Sequence, residues 1–231
     1  MEHGVWYRHH YPQPNHHQDL TVAAEQYPDA RVIGTDLSPI QPAYVPTNCS
    51  FEIADAEDDW NFGRPFNYIH GRALLTCFTD PRSILQKAYD NLAPGGYLEL
   101  QDGLFPVQFM DPKPPADHPL RLFLDMLADC AVRLGRPWNN VQHYPRWMEE
   151  IGFEAVKEQR KFWPCGPWAK GDKMKKIGLY FLEDLRHAFE PIGIKLFVQI
   201  LGWSEERAKK WIVEEVIPCL GQKNVHMYET V

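Results

Sequence analysis

No apolar run in this chain approaches the roughly 18 residues that a membrane-spanning helix needs, and the opening residues lack the apolar core of a secretory signal. No membrane partner is expected. Cysteine is sparse and odd in number, with single residues at 49, 77, 130, 165 and 219 and no C-x-x-C pair, which argues against a disulfide framework and a structural zinc site. A reducing, intracellular location, cytoplasmic or nuclear, is expected, and Asn48-Cys49-Ser50 reads as a chance match to a glycosylation acceptor. Basic charge is also short: 24 Lys and Arg against 31 Asp and Glu leave a formal charge of −7. Nucleic acid is not expected as a partner, because phosphate contacts need a clustered basic surface. The densest basic stretch, Lys170, Lys173, Lys175 and Lys176 beside Asp172, reads as a solvated helix start. There is no internal repeat and no low-complexity segment.

Five of the ten histidines lie at positions 3, 9, 10, 16 and 17, next to Pro12 and Pro14. They lack helical spacing, so residues 1–19 are read as a mobile or loosely docked arm and no metal is assigned. The rest, 20–231, alternates strand and helix signals, which predicts a single α/β domain with a mainly parallel sheet. Helices are expected over 20–27, 81–92, 120–134, 144–151, 174–189, 194–201 and 204–217. Five strands, about 31–35, 50–54, 66–70, 97–101 and 154–162, are expected in one sheet. Asp80-Pro81 supplies a helix start and Pro94-Gly95-Gly96 a helix stop. Cap elements are placed at about 105–152 and 170–217, the first of them bounded by an aromatic-rich stretch from Phe105 to Trp168.

The strand Arg31-Val-Ile-Gly-Thr-Asp36 ends in a carboxylate, the pattern that delivers an acid to a cofactor ribose. In such sheets a strand and a Gly-rich turn lie about 20 residues upstream of the acid. Upstream here there is no G-x-G and no apolar strand of adequate length.

Five blocks, Val32 to Pro42, Phe51 to Trp60, Phe66 to Arg72, Leu92 to Asp102 and Pro164 to Trp168, together resemble the fungal class I S-adenosylmethionine-dependent methyltransferases of the LaeA-like type, over about 24–231. The resemblance implies a Rossmann-like sheet, incomplete at its N-terminus, with a helical cap. It implies S-adenosylmethionine as cofactor, with Asp36 accepting from the ribose hydroxyls beside Leu37. Asp55 would face the adenine amine, Ala56 would leave room for the ring, and His70 and Arg72 would open into the site. On local chemistry alone Asp36 is a helix N-cap, Asp55 part of a solvated acidic loop and His70 a satisfied core histidine. His70 and His143 are the candidate catalytic bases, since imidazole titrates near neutrality.

Counting back from Tyr27-Pro28, the family's glycine positions fall on Asn15, His16 and His17, so cofactor binding is expected to be weak or absent. The central strand is expected to be missing, with Val5-Trp6-Tyr7, a second copy of the chain or a heteromeric partner filling its place. Val225 to Val231 reads as the opening of a last strand, so both ends are expected to be trimmed. Three functions stay open: methyl transfer to an apolar small molecule of fungal secondary metabolism, a repurposed fold that cyclises or isomerises such a molecule without a methyl donor, and a non-catalytic subunit.

Overall fold

The computed structural model describes residues 2–7, 16–39 and 44–231, with the backbone alone at 2–7 and 16–19. The chain forms two compact units, one of residues 1–102 and 143–157, the other of 103–142 and 158–231.

The first unit is built on a five-stranded parallel sheet of β1 (Glu2–Tyr7), β2 (Arg31–Asp36), β3 (Cys49–Ile53), β4 (Phe66–Arg72) and β5 (Leu92–Gln101). Its strand order is β3-β2-β1-β4-β5, and every neighbouring pair is parallel. The strand that the sequence reading treats as absent is therefore present. Glu2–Tyr7 pairs on one side with β2, from Glu2 opposite Arg31 to Trp6 opposite Thr35, and on the other with β4, from His3 opposite Tyr68 to Tyr7 opposite Arg72. The expected 1–19 arm thus begins as the central strand, and helix α1 (His16–Gln26) starts inside that same segment. A sheet whose centre is filled from its own chain needs no partner to satisfy those backbone groups.

Helix α1 lies on one face of this sheet, where Leu20 and Ala24 bury against Val32, Cys49 and Phe51. Asn48 fastens its end, since the Nδ2 group donates to the carbonyls of Ala24, Tyr27 and Ala30 at 2.9, 3.1 and 2.9 Å. On the opposite face, α2 (Pro81–Asp90) packs Leu85 and Ala88 inward and starts at an Asp80 cap whose carboxylate accepts from the Ser83 N–H. It stops two residues short of the expected Leu92, which already pairs with Phe66. The register then jumps to Tyr97 opposite Tyr68, leaving Ala93–Gly96 as an irregularity that turns through Gly95 at φ +78°. Helix α4 (Tyr144–Ile151) leans on α2 through the Arg82–Glu150 ion pair and the Tyr89–Phe153 edge contact.

In the second unit, β6 (Leu104–Phe109), β7 (Phe162–Cys165) and β8 (Met227–Thr230) form an antiparallel sheet in the order β6-β8-β7. The fifth strand expected in the parallel sheet does not join it. Residues 154–161 are irregular, Ala155 takes φ +54°, and the pairing segment is Phe162–Cys165 in this separate sheet. Helix α3 (Pro119–Arg133) and the 30-residue α5 (Asp172–Leu201) pack through Phe123, Phe189 and Phe197. Two helices were expected in place of α5, but the chain runs through Pro191 unbroken. Helix α6 (Glu205–Trp211), capped by Ser204, continues into a π-helical turn at Ile212–Val216. Its Trp211 joins Trp203, Phe197 and Phe123 in one aromatic cluster. Phe123, Trp138, Phe181, Phe189 and Phe197 of this unit are buried core residues, whereas Phe162, Trp163 and Tyr180 are exposed.

Candidate functional site at the C-terminal edge of the parallel sheet

All five strands of the first sheet run the same way, so their C-terminal ends gather at one edge, where ligand sites of open α/β sheets form. Asp36 closes β2 in register with Ile53 of β3, and Arg72 closes β4 between Tyr7 and Gln101. The Asp36 side chain is 6% exposed. One oxygen, Oδ1, accepts from the Ser38 N–H at 2.8 Å, while Oδ2 is buried with no hydrogen-bond partner among the described residues. An ionised oxygen held away from water without a donor is costly. It suits a ligand that brings one or two hydroxyl donors. Leu37, next in the chain, is 37% exposed at the same edge.

Asp55 stands beside Asp36 along the edge, because the Ala54 N–H donates to the Asp36 carbonyl at 3.1 Å. Its carboxylate accepts from the Glu57 N–H at 2.9 Å, and the turn closes with the Asp58 N–H on the Asp55 carbonyl at 3.0 Å. Ala56 is buried, and its carbonyl accepts from Trp60 Nε1 at 3.0 Å. The loop is also tied from outside. Glu57 Oε1 accepts from the Thr79 N–H at 2.8 Å and from Thr79 Oγ1 at 2.5 Å. Lys87 Nζ donates to the carbonyls of Glu57 and Asp58 at 2.6 and 2.8 Å. Glu57, Thr79 and Lys87 are not among the residues expected from the sequence. The Asp-x-x-x-Asp run hints at a turn, but nothing local announces that α2 reaches back to it.

His70 is 9% exposed on β4, with its ring stacked on Tyr68 at 6.2 Å and 10°. Register sets its face. His70 pairs with Val5, which pairs with Gly34, and an added Cβ at Gly34 would meet Leu20 of α1 at 2.6 Å. His70 therefore points to the α1 face, as does Arg72 two residues on. Gly71 between them faces the other way, where a Cβ would meet Leu74 and Leu100.

His143 belongs to that second face. It ends a 3₁₀ turn, Asn140–His143, and its ring rests on Trp147 at 5.4 Å. The adjacent Tyr144 lines an apolar cavity with Ile69, Gly71, Leu74, Leu85 and Leu100. Burial, followed by the nearby Asp102 carboxylate and Cys77, pushes the Tyr144 hydroxyl far above its ordinary range. The structure thus gathers Asp36, Leu37, Asp55, Ala56 and Arg72 at one edge with His70 just inside it. It does not bring His143 to them. The Asn15 position lies outside the described residues. His16 and His17 fall in the first turn of α1, whose helical backbone makes no demand for glycine.

Residues 14–158 match the family model described as "Methyltransferase domain". The chain is 31% identical over 183 residues to methyltransferase pytC of Aspergillus terreus, covering 79% of this chain and 56% of that protein. The chain belongs to the fungal class I methyltransferase family. Among other relatives in this S-adenosylmethionine-dependent family, "Probable methyltransferase tdiE" of Emericella nidulans is 31% identical over 205 residues, covering 89% of this chain and 64% of that protein. The secondary metabolism regulator laeA of Monascus pilosus is 27% identical over 208 residues, covering 89% and 56%. The chain spans less than two thirds of the length of each of these methyltransferase-family relatives.

Proposed function

We propose that this methyltransferase-family chain holds the adenosine end of S-adenosylmethionine between Asp36 and Asp55 and acts on an apolar small molecule of fungal secondary metabolism. The observation that carries the reading is the buried Asp36 carboxylate, with one oxygen fixed by Ser38 and the other without a donor. Ribose hydroxyls supply the donors it lacks. Asp55, fixed by its own turn, would accept from the adenine amine, with Ala56 leaving space for the ring. When bound, the cofactor supplies a methyl group made electrophilic by its sulfonium. His70 is the group at this edge able to take a proton from an acceptor hydroxyl, with its ring parallel to that of Tyr68.

One observation favours a second reading beside it. The stretch between β1 and α1, residues 8–15, contains no glycine and two prolines, whereas close backbone approach to the methionine end calls for glycine. On that ground the methionine half contributes little affinity, and a donor-free cyclisation or isomerisation in the same pocket is the alternative chemistry.

Calorimetry with S-adenosylhomocysteine, 5′-methylthioadenosine and adenosine tests both readings. All three should bind weakly and about equally, and Asp36→Asn should weaken each by about tenfold to a hundredfold, the loss of one hydrogen bond to a charged acceptor. Binding that Asp36→Asn leaves intact would overturn the site. Much tighter binding of S-adenosylhomocysteine than of adenosine would instead remove the ground for the donor-free reading.

A further inference from the structure

We propose that Lys87 is a positioning residue that holds the Asp55–Asp58 loop in its adenine-receiving shape from the neighbouring helix, an assignment that rests on the cofactor reading above. The loop places Asp55, Glu57, Asp58 and Asp59 within five residues. Like charges at that density repel one another, and a short loop without ties samples many backbone states that must be given up when a ligand binds. Here the ties are in place without a ligand. The Lys87 ammonium has three donors, and two are spent on the consecutive carbonyls of Glu57 and Asp58, at 2.6 and 2.8 Å. Both bonds are charge-assisted.

The same peptide units are held from two further directions. The Glu57 N–H closes on the Asp55 carboxylate at 2.9 Å, and the Glu57 carboxylate is itself held by Thr79 through its N–H and its hydroxyl. Ala56, between the two acids, has its carbonyl fixed by Trp60. Lys87 thus acts one residue away from the groups assigned to adenine and touches neither. Its own position is set by α2, whose start is fixed by the Asp80 cap and whose buried Leu85 and Ala88 seat it on the sheet. Through this lysine, the order of a cofactor loop depends on a helix that contributes no ligand contact.

The test compares wild type with Lys87→Met, which keeps the apolar stem and removes the ammonium. The probes are adenosine and inosine, which differ at the exocyclic group that Asp55 would read. Amide hydrogen exchange is followed in the ligand-free protein. Lys87→Met should weaken adenosine about tenfold, leave inosine nearly unchanged and so erase the preference between them. Exchange at Glu57–Asp59 should accelerate about tenfold while Val32–Asp36 stays protected. Equal losses for the two nucleosides would mark general destabilisation and overturn the assignment, as would unchanged exchange in the loop. If Lys87→Met leaves adenosine binding intact, the lysine assignment fails alone. If wild type binds neither nucleoside, the cofactor reading fails and takes this assignment with it.

Discussion

Gly178 in α5 offers a test in which local propensity and tertiary packing predict opposite signs. A Cβ there would lie 2.1 Å from the carbonyl oxygen of Gly166, 2.7 Å from its carbonyl carbon and 3.2 Å from the carbonyl oxygen of Pro164, all main-chain atoms. Main chain cannot swing aside as a leucine tip can. Bringing the carbon–oxygen contact to an ordinary separation of about 3.3 Å requires the helix and the β7 exit to part by roughly 1 Å. That movement stretches the bond from the Gly166 N–H to the Gly178 carbonyl, now 2.9 Å, out of hydrogen-bonding range. Overpacking costs about 1–3 kcal/mol and the lost bond about 0.5–1.5 kcal/mol, against a helix-propensity gain of about 1 kcal/mol for Gly→Ala. Gly178→Ala should therefore destabilise the protein by about 1–3 kcal/mol, read as a lower urea midpoint at unchanged slope. Gly193 in the same helix is the control, because the atoms nearest its Cβ would be side-chain atoms of Ile212 and Phe123 rather than main chain, and Gly193→Ala should cost less. A Gly178→Ala protein with a raised midpoint would refute the packing argument and leave propensity in charge.

Two further outcomes follow from the same structure. Asn48→Asp turns a donor that serves three carbonyls into an acceptor facing them, so it should destabilise by about 1–3 kcal/mol at neutral pH, as a half-buried charge left facing like partial charges. That penalty should shrink as pH falls toward the ordinary aspartate range and the new carboxyl takes a proton; urea midpoints at pH 7 and pH 4 would check the sign. Burial pushes the Cys165 thiol up to about 12, partly offset by Arg186. Alkylation at pH 8 should therefore leave Cys165 unmodified in the native protein and modify it on unfolding, and mass mapping that finds it labelled in the native state would contradict its burial.

The parts of the fold that could be read from sequence are those whose signals are local. Arg31–Asp36 is a compact β-branched run, Asp80-Pro81 is a cap with its proline, and Gly152 stops α4 at φ +122°. Val5-Trp6-Tyr7 was one of three candidates for the central strand, but its extension back to Glu2 was not legible because His-Gly precedes the apolar run, and a six-residue strand at a sheet centre is fixed by two neighbours rather than by its own pattern. The expected strand over 154–162 failed for a related reason. Its charged residues have no ladder to join, while Pro164 is tolerated in β7 because that strand sits at a sheet edge. The expected break between 189 and 194 does not occur: Phe189, Gly193 and Phe197 are buried on either side of Pro191, and packing carries the helix through. For the site, Asp36 and Asp55 were legible as acids that follow strands. The separation of His143 from His70 was not, because it depends on which face of the sheet each element covers. Lys87 was invisible for the same reason, since its partners lie about 30 residues away in sequence.

The chain passes between its two compact units three times, after residues 102, 142 and 157. During synthesis the N-terminal unit therefore cannot close when Asp102 leaves the ribosome. Until residue 157 emerges, the α2 surface awaiting Tyr144, Glu150 and Phe153 stays bare. The nascent chain holds a half-covered parallel sheet while some forty residues of the other unit are made, an interval of a few seconds at typical elongation rates. A fragment ending at residue 102 should reproduce that interval permanently. It would carry the whole candidate-site edge and would be prone to aggregate through the surface that the return segment covers.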